Sequence, residues 1–255
     1  MGQFSKRLGR RGPASTVADA EETLVGAARA FIRRPDGAVA LRLASGAAAL
    51  LDARGAATAG AAQRACGPGC AYCCHLPVTL SLAEALRIVD HLEGQSAAVQ
   101  AATRAAVVAA DDAASGEDDE ALFLSRRACA FLGEDSRCEI YAVRPLACRG
   151  HAAMDRQACA DAHAAPDDAA RADRVVVDEE LRREKDRIKT TLGLTLRAAG
   201  RDLLEYELHA ILRLLLTDPR RARAWLSGQA VEQPCRVLAV SRAAEAEIHQ
   251  LADEA

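Results

Sequence analysis

Aromatic side chains are nearly missing from this sequence. Four Phe, three Tyr and one Trp make up 3% of 255 residues. Leu, Ile, Val and Phe together reach only about a fifth of the chain, just above the range in which disorder is the default. A β-sandwich or β-barrel needs many more β-branched and aromatic residues, so both are excluded. Lysine is also scarce, three against 30 arginines. With so much alanine, that bias points to a GC-rich bacterial genome. The net charge is −3, so the basic footprint of a nucleic-acid binder is missing. No apolar run approaches the roughly 20 residues that span a bilayer. Lys6, Arg7, Arg10 and Arg11 crowd the N-terminus, but no apolar segment follows them, so no signal peptide is expected. Met1-Gly2 lacks the Ser or Thr at position six that a myristoylation start requires, and carries Lys6 there instead. A cytoplasmic location is expected. Half of the residues count as hydrophobic, yet 59 of them are Ala and nine are Cys. Alanine forms helices readily but buries little area. The composition therefore predicts a mainly α-helical protein with a thin core, and the cysteines are candidates for its reinforcement.

The pattern divides the chain into a disordered basic segment 1–15, N-terminal helices over 16–60, a cysteine-cluster domain over 61–165, and C-terminal helices over 166–255 packed on it. Thr16 to Arg34 reads as an amphipathic helix, with Val17, Leu24, Ala28, Phe31 and Ile32 near one face. Pro35-Asp36-Gly37 is a turn, and residues 38–65 form an Ala-rich helix that buries Leu41, Leu43, Leu50 and Leu51. Gly67-Pro68-Gly69 is expected to break it. Ser81-Leu-Ala-Glu84 is a capping box for a helix running to about His91 and burying Leu82, Leu86 and Val89. Residues 97–110 are helical and 111–120 an acidic solvated loop. Cys129 to Tyr141 resembles a small hairpin around Gly133–Arg137. Val175 to Val177 reads as extended, and Asp178 as the cap of a charged helix reaching about Arg187. Leu204, Leu208, Ile211 and Leu215 share one helical face, predicting a helix over 201–217. Pro219 starts a short helix carrying Trp225, Gly228 ends it, and a last helix begins near Ser241. No internal repeat is present.

Eight of the nine cysteines fall in two groups, Cys66-x3-Cys70-x2-Cys73-Cys74 and Cys129-x8-Cys138-x9-Cys148-x10-Cys159. In a reducing compartment such clusters read as metal ligands more readily than as disulfides. Four thiolates satisfy tetrahedral zinc or an iron–sulfur cluster. Cys70-x2-Cys73 has the knuckle spacing in which one turn aims two sulfurs at one ion. Adjacent Cys73 and Cys74 cannot both reach one ion without strain, which leaves two sites, a bridging thiolate, or a non-ligand role for one of them. Cys235 stands alone and reads as a small buried hydrophobe. His75 and His151 could ligate directly, but with eight thiols at hand they read more readily as hydrogen-bond partners of the ligands or as surface residues. His91, His163, His209 and His249 read as surface or helix-face residues.

At these residues the chain resembles the YkgJ-type CxxCxxCC cysteine-cluster family, whose members are described as zinc- or iron-chelating. The resemblance rests on Cys70-Ala-Tyr-Cys73-Cys74, Val78-Thr-Leu-Ser-Leu-Ala-Glu84, Cys129-Ala-Phe-Leu132, and Cys138-Glu-Ile-Tyr141-Ala-Val-Arg144-Pro145-Leu-Ala-Cys148-Arg149. Cys159 matches the family's last cysteine, and the match spans about 64–160. The gap Cys66-Gly-Pro-Gly-Cys70 departs from the family's two-residue spacing. The resemblance implies chelation and supplies no reaction. A more distant likeness to flagellin lysine N-methylase lacks support, because no Gly-rich strand-to-helix fingerprint for a nucleotide is present.

Three readings follow. The first is a structural or chelating site for a zinc or iron ion. The second is a metal- or iron–sulfur-dependent enzyme, possible substrates including a protein, with Arg144, Arg149, His151 and Asp155 beside the metal. The third is a thiol redox protein, which Cys70-x2-Cys73 permits but no βαβ pattern supports. Neither a protein partner nor a substrate is legible.

Overall fold

The protein is described here from a computed structural model covering residues 16–229, 231 and 235–253; the expected disorder of 1–15 lies outside them. Helix α1 (Val17–Arg33) starts where the Thr16 side chain accepts the Asp19 amide, and α2 (Gly37–Ala57) where Asp36 accepts that of Val39. Both are N-caps of the kind that Thr and Asp favour. Leu24 and Phe31 are buried in α1 as expected, whereas Ile32 is exposed. Helix α2 buries residues around most of its circumference, among them Ala40, Leu43, Ala44, Gly46, Ala47, Leu50 and Leu51. It is surrounded by α1, α3 (Leu82–Glu93) and α9 (Glu179–Ala198), with α6 (Leu146–Arg149) and α11 (Arg220–Leu226) also touching it. Small residues allow this crowding. A Cβ added at Gly46 would sit 3.2 Å from the Leu24 Cα. The alanine that looked like poor core material is what lets helices approach α2 from several sides. Helix α2 ends at Ala57, ten residues before Gly67, so the expected break at Gly67-Pro-Gly acts on a loop rather than a helix.

The expected capping box is present. Ser81 Oγ accepts the Glu84 amide, and Glu84 Oε2 accepts the Ser81 N–H and hydroxyl. Helix α3 buries Leu82, Ile88 and Leu92, while Leu86 and Val89 pack only partly buried at its edge. Helix α4 (Ala97–Ala113) extends through Asp111 and Asp112, which pair with Arg213 instead of lying in a solvated loop. Asp118 then caps α5 (Asp119–Leu124).

The expected hairpin at 129–141 is a loop closed by one antiparallel bridge, Leu132–Cys138. A separate sheet is non-local: β1 (Thr79–Ser81) pairs antiparallel with β2 (Glu205–Glu207), Leu80 opposite Tyr206. Each strand runs directly into a helix, β1 into α3 and β2 into α10 (Leu208–Thr217). The helix expected over 201–217 thus begins only at Leu208. Glu207 accepts the His209 and Ala210 amides, capping α10 and stopping the helix from continuing toward Leu204.

Between these elements lie α7 (Arg156–Ala164) and α8 (Ala169–Ala172), and α12 (Ala239–Asp253) follows α11. Asp178 caps α9 as expected, but the helix continues eleven residues past Arg187 to Ala198. Trp225 is buried in α11, its ring 6.0 Å from that of Phe31, and its Nε1 donates to the Asp202 carbonyl. Gly228 follows with φ +96, the left-handed conformation that favours glycine after a helix. Among the described residues no helix is long and apolar enough to cross a membrane.

Candidate metal centre

The two cysteine groups meet on one side of this frame. The approach to the first is fixed by Arg64, whose Nε donates to Asp178 and whose guanidinium also reaches the Gly55 carbonyl and Thr58 Oγ1. Ala65 N–H then donates to the Ala153 carbonyl, and Cys66 Sγ accepts the Ala153 N–H at 3.2 Å. Gly69 has φ +80, so the tight turn that closes with Cys70 N–H on the Gly67 carbonyl favours glycine there. Tyr72–His75 forms a short 3-10 helix. Such a helix has about three residues per turn, so neighbouring side chains diverge by about 120°. Cys73 and Cys74 are adjacent in this turn, yet their side chains remain neighbours: the Cys74 thiol, together with burial, raises that of Cys73.

Helix α7 packs against that turn. Asp155 caps it by accepting the Gln157 amide, and Arg156 Nη2 donates to the Gly69 carbonyl. Cys159 and His163 lie one turn apart on α7. The His163 ring, on the face of α7, stands 4.6 Å from the His75 ring and 5.7 Å from Tyr72, so this helix-face histidine borders the first cysteine group. Its Nδ1 is buried without a hydrogen-bond partner. Burial pushes the Cys159 thiol up to about 11, and the neighbouring Cys66, Cys70 and Cys73 add to the shift. Around Cys66, burial of the sulfur raises the thiol, the Ala153 amide partly offsets this, and Cys70 and Cys73 contribute. These four sulfurs are electrostatic neighbours.

The second group is tied to the first through the backbone. Cys129 N–H donates to the Cys74 carbonyl at 2.8 Å. The Leu132–Cys138 bridge brings Cys138 back toward Cys129. Cys148 sits in α6, whose first turn is fixed because the buried Glu84 accepts the Leu146 N–H at 2.8 Å. Burial raises the Cys148 thiol, Cys129, Cys73 and Cys138 reinforce the rise, and the Arg144 guanidinium opposes it. Arg144 lies 3.8 Å over the Tyr141 ring. It is the cation beside Cys73, Cys138 and Cys148.

The other polar residues singled out in sequence are engaged differently. Arg149 is buried and bonds Asp52 and the Ala142 carbonyl, fastening α6 to α2. Asp155 spends its carboxylate on the α7 cap. His151 is half-buried, and burial, with Lys185 nearby, lowers its pKa. His75 Nδ1 lies 3.1 Å from the Ala71 carbonyl. Cys235 is buried, as expected of a lone cysteine, and burial pushes its thiol up to about 12.

His209, read from sequence as a helix-face residue, belongs to this region. Its Nδ1 lies 2.9 Å from Glu207 Oε1 and its Nε2 accepts the Ala130 N–H at 3.2 Å. Burial opposes the charge on Glu207, but the His209 ring and the capping amides outweigh it and hold the carboxyl below its ordinary value. The signal in sequence was a polar ring inside Leu208-His-Ala-Ile-Leu, an otherwise apolar stretch.

The donor set is overwhelmingly thiol, the chemistry of soft or borderline ions such as zinc and iron. Among the described residues no three Cys, His, Asp or Glu side chains are gathered tightly enough to hold an ion without moving. The sulfurs fit a metal by their chemistry and would have to close on it.

Residues 65–174 match the model of the CxxCxxCC family, described as a "Putative zinc- or iron-chelating domain". The match takes in all eight clustered cysteines, and the description supports metal binding. No curated protein and no solved structure matches the chain.

Proposed function

Taking that CxxCxxCC match as the premise, we propose that the segment binds zinc or iron through two adjacent sets of four thiolates, as a structural or chelating centre. Cys66, Cys70, Cys73 and Cys159 form the first set, and Cys74, Cys129, Cys138 and Cys148 the second. The observation that carries this reading is the junction of the two groups, where the Cys74 carbonyl holds the Cys129 N–H at 2.8 Å. Cys73 lies beside Cys74 and bears on both Cys159 and Cys148, so it stands where the two sets meet. Each set then has the four soft ligands of a closed tetrahedral site.

A bound ion would cross-link segments far apart in sequence, and its binding energy would appear as folding energy. The chain's own residues prepare that closure. The Ala153 amide holds the Cys66 sulfur, Glu84 fixes the turn that carries Cys148, and Arg144 offsets thiolate charge in the second set. The structural reading is favoured over an enzyme because Arg149 and Asp155 are already committed, one to Asp52 and the other to capping α7. Nine free cysteines suit a reducing cytoplasm.

The test is anaerobic purification followed by quantification of metal and acid-labile sulfide, with a visible spectrum. We expect roughly two ions per chain, one per four thiolates. A colourless zinc protein supports closed structural sites, while sulfide with charge-transfer bands assigns iron–sulfur clusters instead. A well-folded chain without metal, with every clustered thiol free to react, sinks the reading. One ion per chain sinks the partition into two sets.

A further inference from the structure

We propose that His209, backed by Glu207, is the positioning residue that presents Cys129 to the second metal set. The inference rests on the metal-binding reading above. Cys129 lies in an irregular stretch between α5 and the bridge at Leu132, so no helix or strand fixes its direction. Two hydrogen bonds do so instead. Its own N–H is held by the Cys74 carbonyl at 2.8 Å, and the N–H of the next residue, Ala130, is held by His209 Nε2 at 3.2 Å. The peptide planes on both sides of the Cys129 Cα are thus pinned.

The imidazole is itself held. Its Nδ1 faces Glu207 Oε1 at 2.9 Å, and Glu207 is 2% exposed. The other carboxylate oxygen of Glu207 accepts the His209 and Ala210 amides at the start of α10. Glu207 N–H in turn donates to the Arg236 carbonyl, while β2 pairs with β1 immediately after the first cysteine group. One rigid corner, formed where β2 becomes α10, therefore reaches across to a thiol 80 residues earlier in the chain. A carboxylate that orients a histidine, which in turn orients a ligand, is the arrangement by which outer groups tune metal sites, and losing such a partner costs about 10–100-fold in affinity.

The experiment is a cobalt(II) titration of the metal-free reduced full-length chain, read by thiolate-to-cobalt charge-transfer and ligand-field absorption, for wild type, His209→Ala, His209→Gln and His209→Asn. The Gln side chain carries an amide oxygen to about where Nε2 lies, so it can accept the Ala130 N–H, whereas Asn is too short. We expect His209→Ala and His209→Asn to weaken binding at one of two cobalt sites by roughly 10–100-fold. His209→Gln should recover most of that loss, and the other site should be unchanged. Amide hydrogen exchange in the metal-free protein supplies a readout independent of metal. Ala130 should exchange faster in the Ala and Asn variants and near the wild-type rate in Gln. If His209→Ala fails to fold, the comparison of Gln with Asn decides. Variants that bind both cobalt ions with wild-type affinity and spectrum, or Gln behaving like Asn, overturn the proposal. A wild-type chain that binds no cobalt overturns the metal-binding reading itself, a different and separately visible result.

Discussion

Asp178 joins three parts of the fold with one carboxylate. Its Oδ1 accepts the Glu180 and Leu181 amides at the start of α9. Its Oδ2 accepts Arg64 Nε at 2.8 Å and the Thr58 hydroxyl at 3.3 Å, fixing the end of α2 and the approach to Cys66. Asp178→Ala removes an N-cap, which costs about 1 kcal/mol. It also strips Arg64 of its counter-charge. Breaking a buried pair costs about 3–5 kcal/mol. The Arg64 side chain is 19% exposed and keeps the Gly55 carbonyl and Thr58 hydroxyl, so a loss of about 2 kcal/mol is the better figure. The sum, about 3 kcal/mol, should lower Tm by roughly 6–12 °C in a chain of this size. Asp178→Asn keeps an oxygen for the cap but turns an amide donor toward Arg64 Nε, so it should spare the cap and still lose the Arg64 contribution of about 2 kcal/mol. A pH series supplies an independent reading. Burial alone would raise the Asp178 pKa, but the Leu181 amide, Arg64 and Thr58 outweigh it and hold the carboxyl below its ordinary 3.8. A depressed folded value means that the stabilisation is complete above the unfolded value and disappears as pH falls through the folded one. Urea melts from pH 7 down to about pH 3 should therefore show wild type losing its advantage over Asp178→Asn below about pH 4. Asp178→Ala within 0.5 kcal/mol of wild type at pH 7, on the scale of an ordinary surface change, would refute this account of the junction.

Cys138→Ser or Cys148→Ser should lower Tm sharply or aggregate the chain, because each removes a cross-link from a fold short of large apolar groups; unchanged far-UV circular dichroism and melting would oppose the staple. Stripping metal with a chelator should produce the same direction of change in wild type and a much smaller one in either Ser variant, measured by thermal melts with and without added zinc. Glu84→Gln places an amide donor against the Ser81 or Leu146 N–H and should cost about 1–3 kcal/mol, visible in urea melts together with looser retention of metal by the set containing Cys148. Gly46→Leu should destabilise by roughly 1–3 kcal/mol or more through overpacking against the backbone of α1, despite the better helix propensity of leucine.

Local chemistry was the legible part of this chain. The Ser81–Glu84 box, the Asp178 cap and the turn after Trp225 depend on residues within a few positions, and each stands where its sequence indicates. The burial of Leu41, Leu43, Leu50 and Leu51 was legible too, because a long apolar run leaves few alternatives. What failed depended on distant partners. Leu204 matched the helical spacing of Leu208 and Ile211, but pairing with β1 claimed the residues just after it as a strand. Asp111 and Asp112 looked like a solvated acidic run until Arg213, about 100 residues away, supplied their partner. Cysteine spacing pointed to the cluster, and the fold brings its two groups together where the Cys74 carbonyl holds the Cys129 N–H. His209, His163 and Glu207 carry no spacing signature relative to the cysteines, and only the folded chain brings them there.

The crowding around α2 reverses the usual direction of vulnerability. In a leucine-filled core the damaging changes are deletions, which leave holes. Here the helices are held near one another by side chains that barely extend past Cβ, as at Gly46 beside Leu24 and at Ala40, Ala44 and Ala47, which are essentially inaccessible. Trimming such positions removes almost nothing, since an alanine has one methyl to give. Enlarging any of them wedges whole helices apart and disturbs several contacts at once. Genetic drift in this protein should therefore show its intolerance as a ceiling on side-chain volume along α2, and the substitutions that break it should be additions of carbon rather than losses.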